Sequence, residues 1–417
     1  MKTTTRVNVQ KVGTNKGKPR IWLEGKYLQN LGFSGGKKIA VSFDNGKIEI
    51  AEDTTGTRTV SERRNRSIID LNTDEIVRAI GTAERVEVEC KAGRIVITPA
   101  EVEIARVSRA VDNTAGSIFS GGGLMDEAAR QAGYETSFGL ELNPDYADLW
   151  QQNHAAYMLC GSIDEIPLAK IPHVDLLVGG IPCEPFSVKR RAADRHATHE
   201  HPLADMSFFA LMVAKQANPR NIVLEEAPAY LTDPIGIVTQ AALRRMGYHV
   251  DSRIIEGTEY GSLCVRKRAV IVARTEGGPI PWPCQTTTTR TLGEILLPTD
   301  HPACEWFTRE TKEWLFDHWE KQRSKGNGFA SQILTANTAR VPAITKRYFS
   351  QQGDGAVIAH PTEPNTYRWL TLVEVKRLMG LPDQYYLGSA KTTAGEIMGQ
   401  GVLVDVFAKI IRAVTGK

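Results

Sequence analysis

Two stretches of strict alternation open the chain. In residues 37–50 (KKIAVSFDNGKIEI) and 84–97 (ERVEVECKAGRIVI), apolar and polar positions alternate on either side of a turn containing Asn45-Gly46 or Ala92-Gly93. That is the pattern of a β-hairpin with one buried face. Each hairpin follows a short helix-like segment, 26–31 and 73–80, so residues 1–103 read as a small, mostly-β, duplicated hairpin module. Between the copies, residues 53–66 (DTTGTRTVSERRNR) show no apolar period and read as a flexible polar connector.

A different rhythm begins near residue 116. A short apolar segment, 117–119, runs into Ser120-Gly121-Gly122-Gly123, and residues 124–132 follow with helical spacing. A strand at 136–140 ends on Glu141, and further apolar strands are predicted at 174–178, 221–224 and 269–273. Helical stretches at 205–216 and 234–246 separate them. Alternating strands and helices imply an α/β domain with a parallel, doubly wound sheet. From about 275 to 367 the rhythm is lost in Thr-, Pro- and Gly-rich sequence, and helical periodicity returns at 371–379 and 401–414. The α/β domain therefore spans 112–275, is interrupted by an irregular insertion at 276–367, and is completed by 368–417.

Composition narrows the class. The 417 residues are 41% hydrophobic and 24% charged, as in a soluble globular protein of two or three domains. There is no apolar run long enough to cross a membrane and no signal-peptide core, so membrane and export readings fall away. Cysteines 90, 160, 183, 264, 284 and 304 include no CxxC pair. This argues against a metal site or a disulfide framework and fits a reducing cytoplasm. The net charge of +3 decides little, but from Lys321 to Gly353 six cations stand with no acid: Lys321, Arg323, Lys325, Arg340, Lys346 and Arg347. Such a stretch is either a solvated face or a phosphate-contacting surface.

Candidate chemistry sits at the strand ends. Residues 175–187 (DLLVGGIPCEPFS) break from an apolar strand into a stiff Gly/Pro loop carrying Cys183. A lone cysteine can be a small buried hydrophobe, but a thiol on a rigid loop is also how a nucleophile is presented. The glycine turn at 120–123 lets a ligand approach the backbone, and Glu141 stands where an acid takes ribose hydroxyls. Without a full GxGxxG, an adenosine compound lacking a pyrophosphate fits better than a dinucleotide. Glu225 follows an apolar strand, as a solvated acid or as a proton donor to a heterocycle. Arg266 and Arg268 precede the strand at 269–273, as edge caps or as grips on phosphate and a base carbonyl.

Taken in order, these segments resemble the cytosine-C5 DNA methyltransferases of bacterial or phage and plasmid orphan type. Residues 119–123 (FSGGG) resemble their FxGxG loop, and Glu141 matches the ribose-binding acid. GGIPCEPFS (179–187) is similar to the PCQxFS nucleophile loop, LEEAP (224–228) to the ENV segment, and CVRKR (264–268) to QxRxR. RWLTLVE (368–374) with 378–382 resembles RxLTxxE…GFP, and GQGV (399–402) stands where GN(S/A)V is expected. The chain departs from those patterns with Glu184 for Gln, Glu226-Ala227 for Asn-Val, Cys264 for Gln, Gln400 for Asn, and Ser162 for the usual Asp. The first module resembles the paired swapped hairpins of AbrB- and SymE-type proteins, many of which bind DNA, although dimerisation or packing is an equal reading.

The resemblance implies a Rossmann-like fold with a mixed sheet that uses S-adenosylmethionine and acts on a flipped-out cytosine in a specific sequence of double-stranded DNA. Its catalytic residues would be Cys183 as nucleophile on C6, Glu225 at N3, Arg268 at O2, and Arg266 stabilising the loop or a phosphate. Phe119, Ser120, Gly121, Gly123, Glu141, Leu142, Ser162, Ile163, Pro182, Gln400 and Val402 would hold the cofactor. Lys189, Arg190, Arg191, Lys325, Arg340, Lys346 and Arg347 would contact DNA, with 276–367 as target-recognition domain, and no metal is implied. A homodimer through the hairpin module is a further expectation. An RNA cytosine methyltransferase and a DNA-binding regulator using residues 1–103 are the alternatives.

Overall fold

The computed structural model describes residues 6–100, 112–186, 201–286, 289–326, 333–351, 353 and 355–417. The chain divides into two compact units, residues 1–103 and 104–417.

In the first unit the two hairpins form as the alternation predicts, Lys38–Asp44 with Lys47–Glu52 and Arg85–Lys91 with Arg94–Pro99. Their inner strands pair with each other, Ile95 opposite Ile50 and Ile97 opposite Ile48, so the repeat closes on itself in one antiparallel sheet. A second sheet, with Lys18–Gly25 beside Arg66–Asn72 at its centre, supplies Ile21, Leu23, Ile69 and Leu71 to the shared core. The stretch expected to be a flexible connector is built into the fold instead. Arg58–Thr59 and Ser61–Arg63 join opposite sheets as edge strands, and Val60 between them is buried. One apolar residue among polar neighbours is enough to seat the segment, and Arg64 and Asn65 turn it back in the left-handed conformation that two-residue hairpin turns require.

Within the second unit, β1 (Thr114–Ile118), β2 (Glu135–Glu141), β3 (Tyr157–Cys160), β4 (Leu176–Gly180), β5 (Asn221–Glu226), β6 (His249–Glu256) and β7 (Lys267–Arg274) make one sheet in the order β3-β2-β1-β4-β5-β7-β6. β7 is antiparallel to both neighbours, so the sheet is mixed where the strand–helix rhythm alone implies a parallel one. The rhythm breaks because β6 and β7 are joined by residues 257–266 with no crossover helix, and such a short connection cannot return a strand in parallel. Strand alternation sorts the core. Leu176, Val178, Val223, Val270 and Val272 face one layer with α1 (Leu124–Gln131) and the C-terminal helix Val404–Thr415. Leu177, Ile222, Leu224 and Ile271 face the other, with Met206–Ala217 and Pro234–Arg245.

The segment 276–367 is less irregular than its composition implies. It contains the helix Glu313–Ser324, which buries Leu315, Phe316 and Trp319, and a small sheet of short strands. Their apolar residues belong to the same continuous core as α1 and the C-terminal helices. Where the chain returns, Arg368 and Glu374 form a fully buried bidentate pair (2.7 Å for each bond), and Thr371 caps the next helix in a capping box with Glu374.

Candidate active site

The carboxyl ends of β1, β2, β4 and β5 surround a cavity of about 320 Å³. It lies where the strand order reverses between β1 and β4, the position at which open α/β sheets take ligands. Its floor is the turn after β1. Phe119 has φ 52°, a left-handed conformation that costs a bulky residue about 1–3 kcal/mol. Gly121 (φ 53°) and Gly123 (φ 85°) follow, the latter as N-cap of α1. The Ser120 hydroxyl fastens the turn to β2 by accepting from the Leu140 N–H (2.9 Å). Glu141, 8% exposed, is gripped from two sides. Its Oε2 accepts from Gly121 N–H (2.7 Å) and its Oε1 from Asn143 N–H (2.8 Å). A carboxylate has about four acceptor positions, so two remain for a ligand.

Phe119, Ser120, Gly121, Glu141, Leu142, Ser162, Ile163, Pro182, Gln400 and Val402 all line this cavity. Gly123 does not; it lies beneath, where a Cβ would come within 2.6 Å of the Tyr385 hydroxyl and 2.7 Å of His154 Nε2. Ser162 donates to the carboxylate of Asp164, so an acid stands two residues beyond the position where Asp is usual. Tyr146 and Ile397 also line the cavity and escaped the sequence reading. Helical spacing offered a signal for Ile397, three residues before Gln400; Tyr146 had only its nearness to Glu141.

Cys183, Glu225 and Arg268 line the same cavity. β4 ends at Gly180, Ile181 N–H reaches the Glu225 carbonyl (3.0 Å), and Phe186 N–H closes a tight turn onto the Cys183 carbonyl (3.0 Å). The Phe186 ring packs edge-on against Tyr230 at 4.8 Å. The thiol is therefore held by main chain on one side and an aromatic anchor on the other. Burial, then Glu226, Glu184 and Glu225, raise the Cys183 pKa to about 11, against a lowering by Arg268. Burial also raises the Glu225 carboxyl above the usual range, against the opposing pull of Arg268, whose Nε contacts its Oε1. Glu226 points off the cavity, as alternation along β5 demands. It is 2% exposed, and its Oε1 has no partner among the described residues. Burial, then the Glu225 charge, bring its pKa to about 9.

Of the two roles expected for Arg266, a brace for the loop or a phosphate contact, the structure leaves no room for the second. It is 4% exposed and absent from the cavity wall, and its Nη1 and Nη2 donate to the carbonyls of Ile344 (3.4 Å) and Gly399 (2.9 Å). A guanidinium enclosed in that way cannot reach a phosphate; it ties the segment around 344 and the helix ending at Gln400 to the sheet. Arg340 also has a partner the sequence hides. Its guanidinium bonds Glu256 Oε1 (2.6 Å) and Thr258 Oγ1 (2.8 Å), although most of the side chain stays exposed. Lys325, Lys346 and Arg347 are exposed, and Lys189, Arg190 and Arg191 lie outside the described residues.

The sheet order and the cavity over its carboxyl ends define an α/β protein of the open-sheet class. A family model described as C-5 cytosine-specific DNA methylase matches residues 114–416, and the chain belongs to that family. It is thus a DNA cytosine-5-methyltransferase, and enzymes of this family use S-adenosylmethionine. It is 27% identical over 284 residues to the type II methyltransferase M.NlaX of Neisseria lactamica, covering 66% of this chain and 86% of that protein. It is 24% identical over 303 residues to M.MspI of Moraxella, covering 72% and 69%. Among solved structures, the Dnmt2 methyltransferase of Schizosaccharomyces pombe shares the fold at a TM-score of 0.58 with 18% identity, over 73% of this chain and 98% of that one. An E. coli prophage-encoded putative DNA modification methyltransferase gives 0.52 with 16% identity, over 73% and 99%.

Proposed function

We propose that this chain methylates C5 of a cytosine flipped out of duplex DNA, through a covalent bond between Cys183 and C6 of the base. The observation that carries the reading is the convergence of Cys183, Glu225 and Arg268 on one cavity with the glycine turn and Glu141. The residues present fit S-adenosylmethionine. Glu141 retains acceptor positions for ribose hydroxyls, Phe119, Leu142 and Ile163 offer apolar surface for the adenine, and Ser162 and Gln400 offer polar contacts. When bound there, the cofactor supplies an electrophilic methyl group on a sulfonium.

Cytosine C5 is a weak nucleophile until the ring is loaded with electrons. Cys183, as thiolate, adds to C6 and forms the C–S bond, while the C5–C6 π pair shifts to C4–C5 and the C4–N3 π pair takes a proton from Glu225 at N3. A buried carboxyl with a raised pKa is suited to carrying that proton. Arg268, in contact with Glu225, orients it and extends a donor towards O2. After C5 has taken the methyl, a base removes the C5 proton, that pair restores the C5–C6 double bond and the C6–S bond breaks with its electrons on Cys183, while Glu225 recovers the N3 proton. Extrusion of the base costs a few kcal/mol, which Lys325, Lys346 and Arg347 help to offset by holding phosphates, with 276–367 reading the target. Glu184, and Glu226 once it ionises, oppose thiolate formation and set the pH range in which the enzyme works.

Residues 1–103 add a second DNA contact on this reading, in keeping with an AbrB- or SymE-like module. They hold 18 lysines and arginines against 14 acids, whereas 104–417 hold 33 against 34. Deleting them is expected to weaken DNA binding and leave cofactor binding intact. The decisive experiment is bisulfite sequencing of DNA from cells expressing the protein. Methylated cytosines at one recurrent sequence, absent with Cys183→Ser, are expected. Methylation surviving in that variant, or confined to tRNA, overturns the proposal.

A further inference from the structure

The second unit contains a buried polar pair that the reaction above does not use. Tyr385, from the returning C-terminal segment, donates its hydroxyl proton to the carbonyl of Gly122 (2.8 Å). The same hydroxyl lies 3.1 Å from Nε2 of His154, at the end of the helix Pro144–Asn153. Both side chains are buried. A phenol has one proton; with that proton on Gly122, the His154 contact works only if Nε2–H donates to the Tyr385 oxygen, which places the imidazole in the Nε2–H tautomer. The chain His154 to Tyr385 to Gly122 thus runs in one direction, and each bond polarises the next.

Its end point is the glycine turn. The ladder of α1 opens one residue later, with Glu127 N–H on the Gly123 carbonyl (2.9 Å), so Tyr385 holds a carbonyl that precedes that ladder. On the other side of the turn, the Ser120–Gly121 peptide donates to Glu141 through the Gly121 N–H. The turn is therefore clamped between Glu141 on β2 and Tyr385 from a segment more than 200 residues away. There is no slack, since a Cβ on Gly123 would collide with both Tyr385 and His154.

We propose that Tyr385, backed by His154, is a positioning residue that holds the Gly121–Gly122 backbone in the conformation that receives S-adenosylmethionine. It couples cofactor binding to docking of the C-terminal segment, which also supplies Gln400 and Val402 to the cavity. The proposal rests on that cavity being the cofactor site. Without the hydroxyl the Gly122 carbonyl is left buried and unpaired, and the turn is free to rotate its peptides.

The test is the full chain with Tyr385→Phe, His154→Phe and His154→Gln, measuring S-adenosylmethionine binding by calorimetry, KM for cofactor and for duplex DNA, and the melting temperature. Tyr385→Phe keeps the ring and should weaken cofactor binding and raise its KM by about tenfold, the effect of one lost bond to a buried carbonyl. The DNA KM should stay within about twofold. His154→Phe should show a smaller effect of the same kind, and His154→Gln, whose amide can donate in place of Nε2–H, should recover most of it. An unchanged cofactor KM in Tyr385→Phe overturns the inference. So does a parallel rise of both KM values with a collapse in melting temperature, which marks loss of packing alone. If the unaltered chain binds no S-adenosylmethionine, it is the assignment of the cavity that fails.

Discussion

The carboxylates around Cys183 lead to a pH dependence with a definite shape. With burial and the charges of Glu226, Glu184 and Glu225 all acting, the Cys183 thiol stands at about 11, so little of it is thiolate at pH 7. The free enzyme therefore starts short of thiolate, and kcat/KM should climb with pH above 7 for as long as Glu225 keeps the proton it delivers to N3. Glu226 does not act evenly across that range. With its own pKa at about 9 it keeps its proton at pH 7 and opposes the thiolate only as it ionises near 9. The profile of the unaltered enzyme should bend downward there. Glu226→Gln removes that charge, so its rate should match the unaltered enzyme within about twofold at pH 7 and keep climbing above 9. Glu184→Gln acts in the opposite range. It removes an exposed carboxylate that opposes the thiolate at neutral pH, and should raise kcat/KM at pH 7 by less than about tenfold, since its contribution ranks behind burial and Glu226. The assay is transfer of tritiated methyl groups to duplex DNA at low substrate from pH 7 to 10. A flat profile between 7 and 9 would refute the reasoning, as would a Glu226→Gln enzyme altered at pH 7 but parallel to the original above 9.

Other consequences can be measured directly. Arg368→Met leaves Glu374 as a buried carboxylate with only main-chain donors and should cost about 3–5 kcal/mol in urea denaturation, most of it recovered when Glu374→Leu is added. Burial alone would raise the Glu374 pKa, but bonds from Arg368, Thr371 and Leu297 bring it below the ordinary value. Its contribution is therefore present above the unfolded carboxylate pKa and lost as pH falls through the depressed folded one, so Arg368→Met should flatten the acid limb of stability. Lys346→Gln should weaken DNA binding evenly across sequences and lower the salt slope by about one, with the cofactor KM unchanged. A change in sequence preference would count against a phosphate contact. Gly399→Ala puts a Cβ into the backbone of Thr345 and Lys346 and should cost about 1–3 kcal/mol by thermal melting.

What the sequence disclosed, and what it withheld, follows from how far apart the interacting residues lie. The hairpins, the glycine turn and the strand-end positions of Glu141, Cys183 and Glu225 were legible because each rests on a local period or a run of turn residues. The helix Glu313–Ser324 was missed because its buried face, Leu315, Phe316 and Trp319, is narrow and lies among charged residues. The strand–helix rhythm alone could not give the direction of β7, because direction depends on a connection and not on the strand's own residues; the mixed sheet came from the family resemblance. Arg340 looked like a free cation because its partner, Glu256, lies 84 residues away.

The two adjacent glutamates show where local pattern stops and geometry takes over. Glu225 and Glu226 are chemically alike and occupy consecutive positions on one strand, so composition and motif treat them together. The period of two along β5 sends them to opposite faces, and a shift of one residue in register would exchange them. Register holds Glu225 at the cavity, because Glu225 lies opposite Gly180 on β4 and Val270 on β7. Gly180 adds a second constraint: a Cβ there would stand 3.0 Å from Glu225 Oε2, so the small residue at the end of β4 makes room for the acid on β5. The start of β7 separates the two arginines, which a period of two would leave on one face. Arg268, inside β7, reaches Glu225, while Arg266, two residues earlier and outside the strand, is free to turn under the sheet and brace Gly399. One chemical pair became an acid and a pH-sensitive neighbour by register, the other a partner for that acid and a structural tie by where the strand begins.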